Sequence, residues 1–156
     1  MKQVRPVWYF LLAAAVFGLD RWTKWLAQTY CVYPCTLNSF VSFELVHNPG
    51  ITWGLFRAMP GLATIVLTIM VILVTGVLVA IGYRRYSSGY TVFPEALVIG
   101  GSCSNILDRM IYGGVLDFIV LSYKQWNWPV FNIADIFIVI GVIWLGLEIY
   151  NSQELE

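Results

Sequence analysis

Four stretches of the chain, near residues 8–28, 61–82, 92–112 and 132–150, are almost continuously apolar. A helix needs about 20 such residues to cross a hydrocarbon layer about 30 Å thick, and each stretch has that length. Their ends are punctuated: Pro60 and Gly61 precede the second, Pro94 falls in the first turn of the third, and Pro129 precedes the fourth. Between the first two stretches the pattern changes. Phe40 to His47 alternates, with Val41, Phe43 and Leu45 on one side and Ser42 and Glu44 on the other, which predicts a short strand. The fold class this predicts is an all-α membrane protein: four transmembrane helices, with a small outer-face β-sheet lying on the membrane surface. Residues 1–156 form one integral membrane domain in this reading, without internal repeat, low-complexity tract or linker.

The charges flanking the stretches give an orientation. The first stretch follows Lys2 and Arg5, yet its length and its own Asp20, Arg21 and Lys24 read as a retained span and not as a cleavable signal. Arg84 and Arg85 mark the short connection between the second and third spans, so this connection and both termini are expected in the cytoplasm. Arg57 and Lys124 weaken the contrast without reversing it. The two outer segments, 29–60 and 113–131, are rich in aromatics. Tyr30, Tyr33, Phe40, Phe43, Trp53, Phe56, Tyr123, Trp126 and Trp128 suit an interfacial belt, where amphipathic rings sit at headgroup level.

Composition agrees with lipid as the main solvent: 59% of residues are hydrophobic, 16% aromatic and only 12% charged. Soluble domains carry about 25% charged residues. The nine Lys and Arg balance nine Asp and Glu and are scattered, which excludes a nucleic-acid surface. Three cysteines and one histidine, His47, supply no repeated ligand pairs for a zinc module.

Against that background six residues stand out: Asp20, Asn105, Asp108, Asp117, Asn132 and Asp135. A charged group inside the membrane costs about 2.5 to 3.5 kcal/mol on insertion scales, so each needs a structural partner or a function. Helical rise converts position into depth: Asp20 and Lys24 lie roughly 18 and 24 Å above the cytoplasmic face, and Asn105 and Asp108 roughly 20 and 24 Å. Asp135 is about one turn below the outer end of the fourth span, and Asp117 follows the third at the outer surface. Residues remote in sequence therefore converge on one layer near the outer leaflet.

Several members have ordinary structural readings. Asp20 and Lys24, four apart, can neutralise each other, with Lys24 snorkelling outward. Arg109 adjoins Asp108, which suggests an ion pair there. Asn132 can cap a helix, and Asn48-Pro49-Gly50 can be a turn. Asp117 and Asp135 have no basic residue within a helical turn; they are either paired with Arg57, Arg109 or Lys124 in the fold, or they are catalytic.

The motifs in chain order resemble those of the lipoprotein signal peptidases (signal peptidase II), bacterial membrane aspartic proteases. The resemblance is carried by Asp20-Arg21-Trp22-Thr23-Lys24, by Asn48-Pro49-Gly50 with Trp53-Gly54, by Gly100-Gly101 leading to Asn105-Ile106-Leu107-Asp108-Arg109, by Gly114-Val115-Leu116-Asp117-Phe118, and by Phe131-Asn132-Ile133-Ala134-Asp135. Thr52 and Ser104 depart from the family's usual alanine and glycine. The resemblance implies that Asp117 and Asp135 are the catalytic pair, without metal or cofactor. It gives Asp20, Lys24, Asn48, Gly50, Asn105, Asp108, Arg109 and Asn132 supporting or substrate-binding roles. The implied substrate is a prolipoprotein whose cysteine bears diacylglycerol, cut on the amino side of that cysteine. The implied setting is the bacterial inner membrane, with the active site near the periplasmic face, membrane lipid around it and the chain acting as a monomer. Two rivals from other classes are a proton-coupled transporter, which predicts polar residues across the full thickness, and a noncatalytic assembly factor, in which every carboxylate is structurally paired.

Overall fold

The computed structural model describes residues 4–31, 33–50 and 60–153. Thr52, Trp53, Gly54, Phe56 and Arg57, singled out above, lie outside the described residues. Four helices, α1 (Pro6–Tyr30), α2 (Pro60–Ser87), α3 (Phe93–Tyr112) and α4 (Ile133–Gln153), accompany four strands, β1 (Cys35–Thr36), β2 (Val41–Asn48), β3 (Val115–Tyr123) and β4 (Trp126–Asn127).

Two of the helices, over Thr64–Ser87 in α2 and Ile133–Asn151 in α4, are long and apolar enough to cross a membrane. In the most apolar window of each, only 6% and 11% of residues are buried inside the protein. A core helix of a soluble protein would be mostly covered; these are apolar on nearly all sides and uncovered, as lipid-facing helices are. The other two, α1 with 25 residues and α3 with 20, have spanning length but carry the charged residues. Helix α2 runs five residues past the expected end at 82, so Arg84 and Arg85 belong to its last turn and not to a loop. Cations there suit the negative end of the helix dipole.

Helix α3 is the centre of the bundle. Gly100 and Gly101 let it meet α1 on one side and α4 on the other: a Cβ on Gly100 would stand 2.5 Å from the Ala13 carbonyl oxygen, and one on Gly101 would stand 2.7 Å from that of Ala134. Backbone cannot yield as a flexible side chain can. Gly100→Ala and Gly101→Ala should each destabilise the fold by about 1–3 kcal/mol as overpacked sites. Gly18→Ala, with nothing within 4 Å of the added carbon, serves as the silent control in detergent thermal unfolding.

The strands form one antiparallel sheet in the order β1-β2-β3-β4. The alternating segment does become β2, as its pattern predicts. Its partner β3 was not foreseen, because Val115, Leu116, Asp117 and Phe118 are all buried and so show no alternation. An extra residue in β2 between Phe43 and Val46 bulges the pairing just before Val46 meets Asp117. Gly113, left-handed at φ 70°, ends α3 and turns the chain into β3.

Candidate active site

Asp117 is held in β3, and pleating decides what faces it. Val46 pairs with Asp117, and Asn48, two residues on, lies on the same face of the sheet. Asn48 Nδ2 accordingly donates to Asp117 Oδ2 at 2.9 Å. The Asn48 Oδ1 accepts the Gly50 N–H at 2.8 Å, so the Asn-Pro-Gly turn is real and also orients the amide. Gly50 adopts φ 78°, a left-handed conformation that glycine accepts without strain.

Asp135 arrives from α4 by a different device. Phe131 bridges to Ile119 of β3, fixing the following Asn132 beside Asp117. Asn132 Oδ1 accepts the Asp135 N–H at 3.0 Å, while the Asn132 N–H donates to Asp135 Oδ2 at 3.1 Å. This reciprocal pair is a capping box with a carboxylate at its third helical position. Asn132 Nδ2 also donates to Asp117 Oδ1 at 2.6 Å. Asn132 therefore caps α4 and also connects the two carboxylates, its side-chain Nδ2 donating to Asp117 and its backbone N–H to Asp135. Asn105 Nδ2 completes the frame, donating to Asp135 Oδ1 at 2.8 Å.

Neither carboxylate is in an ion pair among the described residues. Arg109 faces both electrostatically, while its Nη1 donates a long hydrogen bond, at 3.4 Å, to the Asn105 carbonyl. Asp117 is 2% exposed. Burial is the main reason its carboxyl is pushed up to about 6; the neighbouring Asp135 adds to this, and the Asn48 and Asn132 amides oppose it. A carboxyl near 6 beside a second carboxyl is a pair that can hold one proton between them. Such a pair offers an acid and a base at one pH.

Beneath the pair lies a buried network of formal charges. Lys24 Nζ sits 2.7 Å from Asp20 Oδ2 and 2.7 Å from Asp108 Oδ2, and donates to Asn105 Oδ1 at 2.9 Å. Arg21 reaches Asp108 Oδ1 at 2.6 Å. Two expectations need correction here. Lys24 does not snorkel outward, being 2% exposed, because two carboxylates and an amide hold its ammonium inside. Asp108 is paired with Arg21 and Lys24, not with the adjacent Arg109, because consecutive helical side chains point in different directions. Asp20 also accepts the Ala134 N–H at 2.8 Å and the Ser104 hydroxyl at 2.6 Å. Asp108 Oδ2 likewise accepts the Leu116 N–H at 3.1 Å, one residue before Asp117.

Every residue expected at the site is thus in one connected cluster, with Gly50 and Arg109 at its edge. Direct bonds between α1, α3, α4 and β3 bring these residues together. Ser104 and Arg21 were missed as participants. The signal available for Ser104 was its adjacency to Asn105 at the depth of Asp20; Arg21 needed only the recognition that two carboxylates call for two cations. No group of three metal-ligating side chains is present among the described residues.

Residues 12–151 match the family model described as signal peptidase (SPase) II. A lipoprotein signal peptidase of Geobacillus thermodenitrificans is 34% identical over 153 residues, covering 96% of this chain and 94% of that protein. One from Neisseria gonorrhoeae is 33% identical over 143 residues, covering 90% and 87%. Two solved bacterial membrane enzymes share the fold, with TM-scores of 0.77 and 0.75 at 21% and 24% identity. The first alignment covers 99% of this chain and 94% of the solved one, the second 95% and 96%.

Proposed function

The chain belongs to the signal peptidase II family, and on that premise we propose that it is an aspartic endopeptidase. It removes signal peptides from diacylglyceryl-modified prolipoproteins on the amino side of the lipidated cysteine. The observation that carries this is Asn132, whose side-chain Nδ2 donates to Asp117 Oδ1 and whose backbone N–H donates to Asp135 Oδ2, while neither carboxylate has an ion-pair partner among the described residues. A carboxylate pair, one member buried and the other half-buried, that is kept out of ion pairs has little structural benefit and a clear chemical one.

In this mechanism the ionised member of the pair takes a proton from water as that water attacks the scissile carbonyl. The protonated member hydrogen-bonds the carbonyl oxygen and then delivers its proton to the leaving amine. Asn48 and Asn132 hold Asp117, and Asn105 and Asn132 hold Asp135, so both carboxyl groups are oriented before substrate arrives. Arg109 and Gly50 border the site and bind the substrate near its lipidated cysteine. Neither metal nor cofactor is needed for these steps.

All four helices span the inner membrane in this reading, as a single monomeric domain with both termini cytoplasmic and the pair near the periplasmic face. The charges of α1 and α3 are compatible with spanning because they neutralise one another inside the bundle. Lipid chains and an apolar signal helix both approach from the bilayer, and a site at headgroup depth meets them where they join.

The transporter reading fares worse. Apart from Cys103, no titratable side chain lies in α1 between Tyr9 and Asp20, in α3 between Glu95 and Asp108, or in α4 between Asp135 and Glu148. A proton relay has no carriers across that interval. The direct test is incubation of purified protein in lipid with a diacylglyceryl-modified prolipoprotein, with products identified by mass spectrometry. Cleavage immediately before the lipidated cysteine, and at least about a hundredfold slower cleavage of the unlipidated precursor, is expected if lipid binding energy is used at the transition state. Cleavage elsewhere, or equal rates on both, would overturn the substrate assignment.

A further inference from the structure

Ser104 stands where three helices meet. It lies three residues after Gly101 on the same face of α3, where the Ala134 carbonyl of α4 comes close, and it is 0% exposed. A serine inside a helix can return its hydroxyl to the carbonyl four residues back; Ser104 donates instead to Asp20 Oδ2 of α1 at 2.6 Å. The other groups on that oxygen, Lys24 Nζ at 2.7 Å and Arg21 Nη2 at 3.4 Å, belong to α1 itself. Among the described residues, Ser104 is therefore the group that ties this oxygen to another helix. The second oxygen, Asp20 Oδ1, accepts the Ala134 N–H of α4 at 2.8 Å. One carboxylate of α1 thus straps α3 to α4.

The Ala134 N–H needs that acceptor. It is in the first turn of α4, where N–H groups have no partner in their own helix, and Ala134 is 0% exposed, so bulk water cannot take the place of Asp20. The next residue is Asp135. Asp117 has a parallel support: the N–H of the residue before it, Leu116, donates to Asp108 Oδ2 at 3.1 Å. Each member of the pair thus follows a backbone N–H fixed by a buried carboxylate, and Lys24 Nζ lies 2.7 Å from both of those carboxylates. The Ser104 hydroxyl bonds to one of them, Asp20. We propose that Ser104 is a positioning residue for Asp135, acting through the Asp20 carboxylate and the Ala134 N–H. This rests on the peptidase reading above. Without the hydroxyl, Asp20 keeps its charge partners on α1 but loses its fixed orientation toward α4, and the first turn of α4 can shift against Asp117. A misplacement of about 1 Å can cost about 10²-fold in rate, and the loss of one bond among those that hold Asp135 should cost less.

Ser104→Ala tests this: it removes one oxygen, adds no volume and leaves every charged member of the network in place, so the variant should fold. With a diacylglyceryl-modified prolipoprotein in lipid, kcat per folded molecule should fall about five- to tenfold and KM should stay unchanged, because an aligned carboxyl acts in the transition state and not in substrate binding. A nuclear magnetic resonance readout follows the strap itself. In protein isotopically labelled at its alanine and leucine nitrogens, the Ala134 amide proton should move upfield in Ser104→Ala as its bond to Asp20 weakens, while the Leu116 amide, held by Asp108, should move much less. Lower thermal stability with unchanged kcat would make Ser104 a packing residue only. That result, a loss confined to KM, or an Ala134 signal that stays in place would overturn the proposal. No cleavage by the unaltered chain would sink the peptidase reading and the proposal together, a result distinct from an active chain whose kcat ignores Ser104.

Discussion

Asp117→Asn and Asp135→Asn should each lower the cleavage rate by about 10²–10⁴-fold, the range for removing a general acid or base. The double variant should be no worse than the weaker single one, because two groups that share one proton act as a unit. Folding should survive. Asp117 is buried and its carboxyl is raised to about 6, chiefly by that burial, so its charged form is a cost to the native state. The sign follows: a carboxyl whose folded value lies above its unfolded value adds stability at low pH, and this is lost as pH rises through about 6. The unaltered chain should therefore lose thermal stability over that interval, and Asp117→Asn, which has no proton to lose at that position, should lose less. The difference in melting temperature should move in favour of the variant between pH 4 and pH 8. A noncatalytic assembly factor with paired carboxylates would show the reverse, with neutralisation unfolding the protein at neutral pH. Full activity in a folded single variant would remove that residue from the pair and direct attention to Asp108 or Asp20.

How much of this site could be read from the chain depended on which rule governed each residue. Asp20 and Lys24 were legible as partners because a four-residue separation stacks side chains on one helical face. The shared depth of Asp20, Asn105 and Asp108 was legible because helical rise is constant. The partner of Asp108 was not. Sequence adjacency pointed to Arg109, whereas the fold brings Arg21 from another helix, 87 positions away. The same limit hid the bond from Ser104 to Asp20, 84 positions apart, and the bond from Ala134 to Asp20, 114 apart. Strand β2 was visible through its alternation. Strand β3 was not, because it is covered at Asp117 and its neighbours and reads as a plain apolar run. Glu95 drew no attention because it lies at a helix start, where acidic residues are ordinary. Its burial, at 1% exposed, and the bond it accepts from Arg85 are not features a sequence displays.

Replacing one member of the buried charge network should be the most damaging change to the fold. Asp108→Leu leaves Lys24 and Arg21 facing Asp20 alone and strands the Leu116 N–H; Lys24→Met leaves Asp20 and Asp108 with one cation between them. Breaking a buried pair from one side costs about 3–5 kcal/mol, because the surviving charge stays desolvated. Removing both Asp108 and Lys24 takes away one charge of each sign and leaves Asp20 with Arg21. The double variant should therefore be less unstable than the two single losses added together, by about 1–3 kcal/mol in a double-mutant cycle. Strict additivity would mean that the contacts carry no coupling energy. Activity per folded molecule separates structure from chemistry in the same variants. Lys24 Nζ is bonded to the amide of Asn105, whose Oδ1 it fixes while the Nδ2 holds the Asp135 carboxylate. Lys24 is thus a positioning residue, and Lys24→Met should slow cleavage per folded molecule far less than Asp135→Asn. An equal loss in the two would place Lys24 among the groups that act on the substrate.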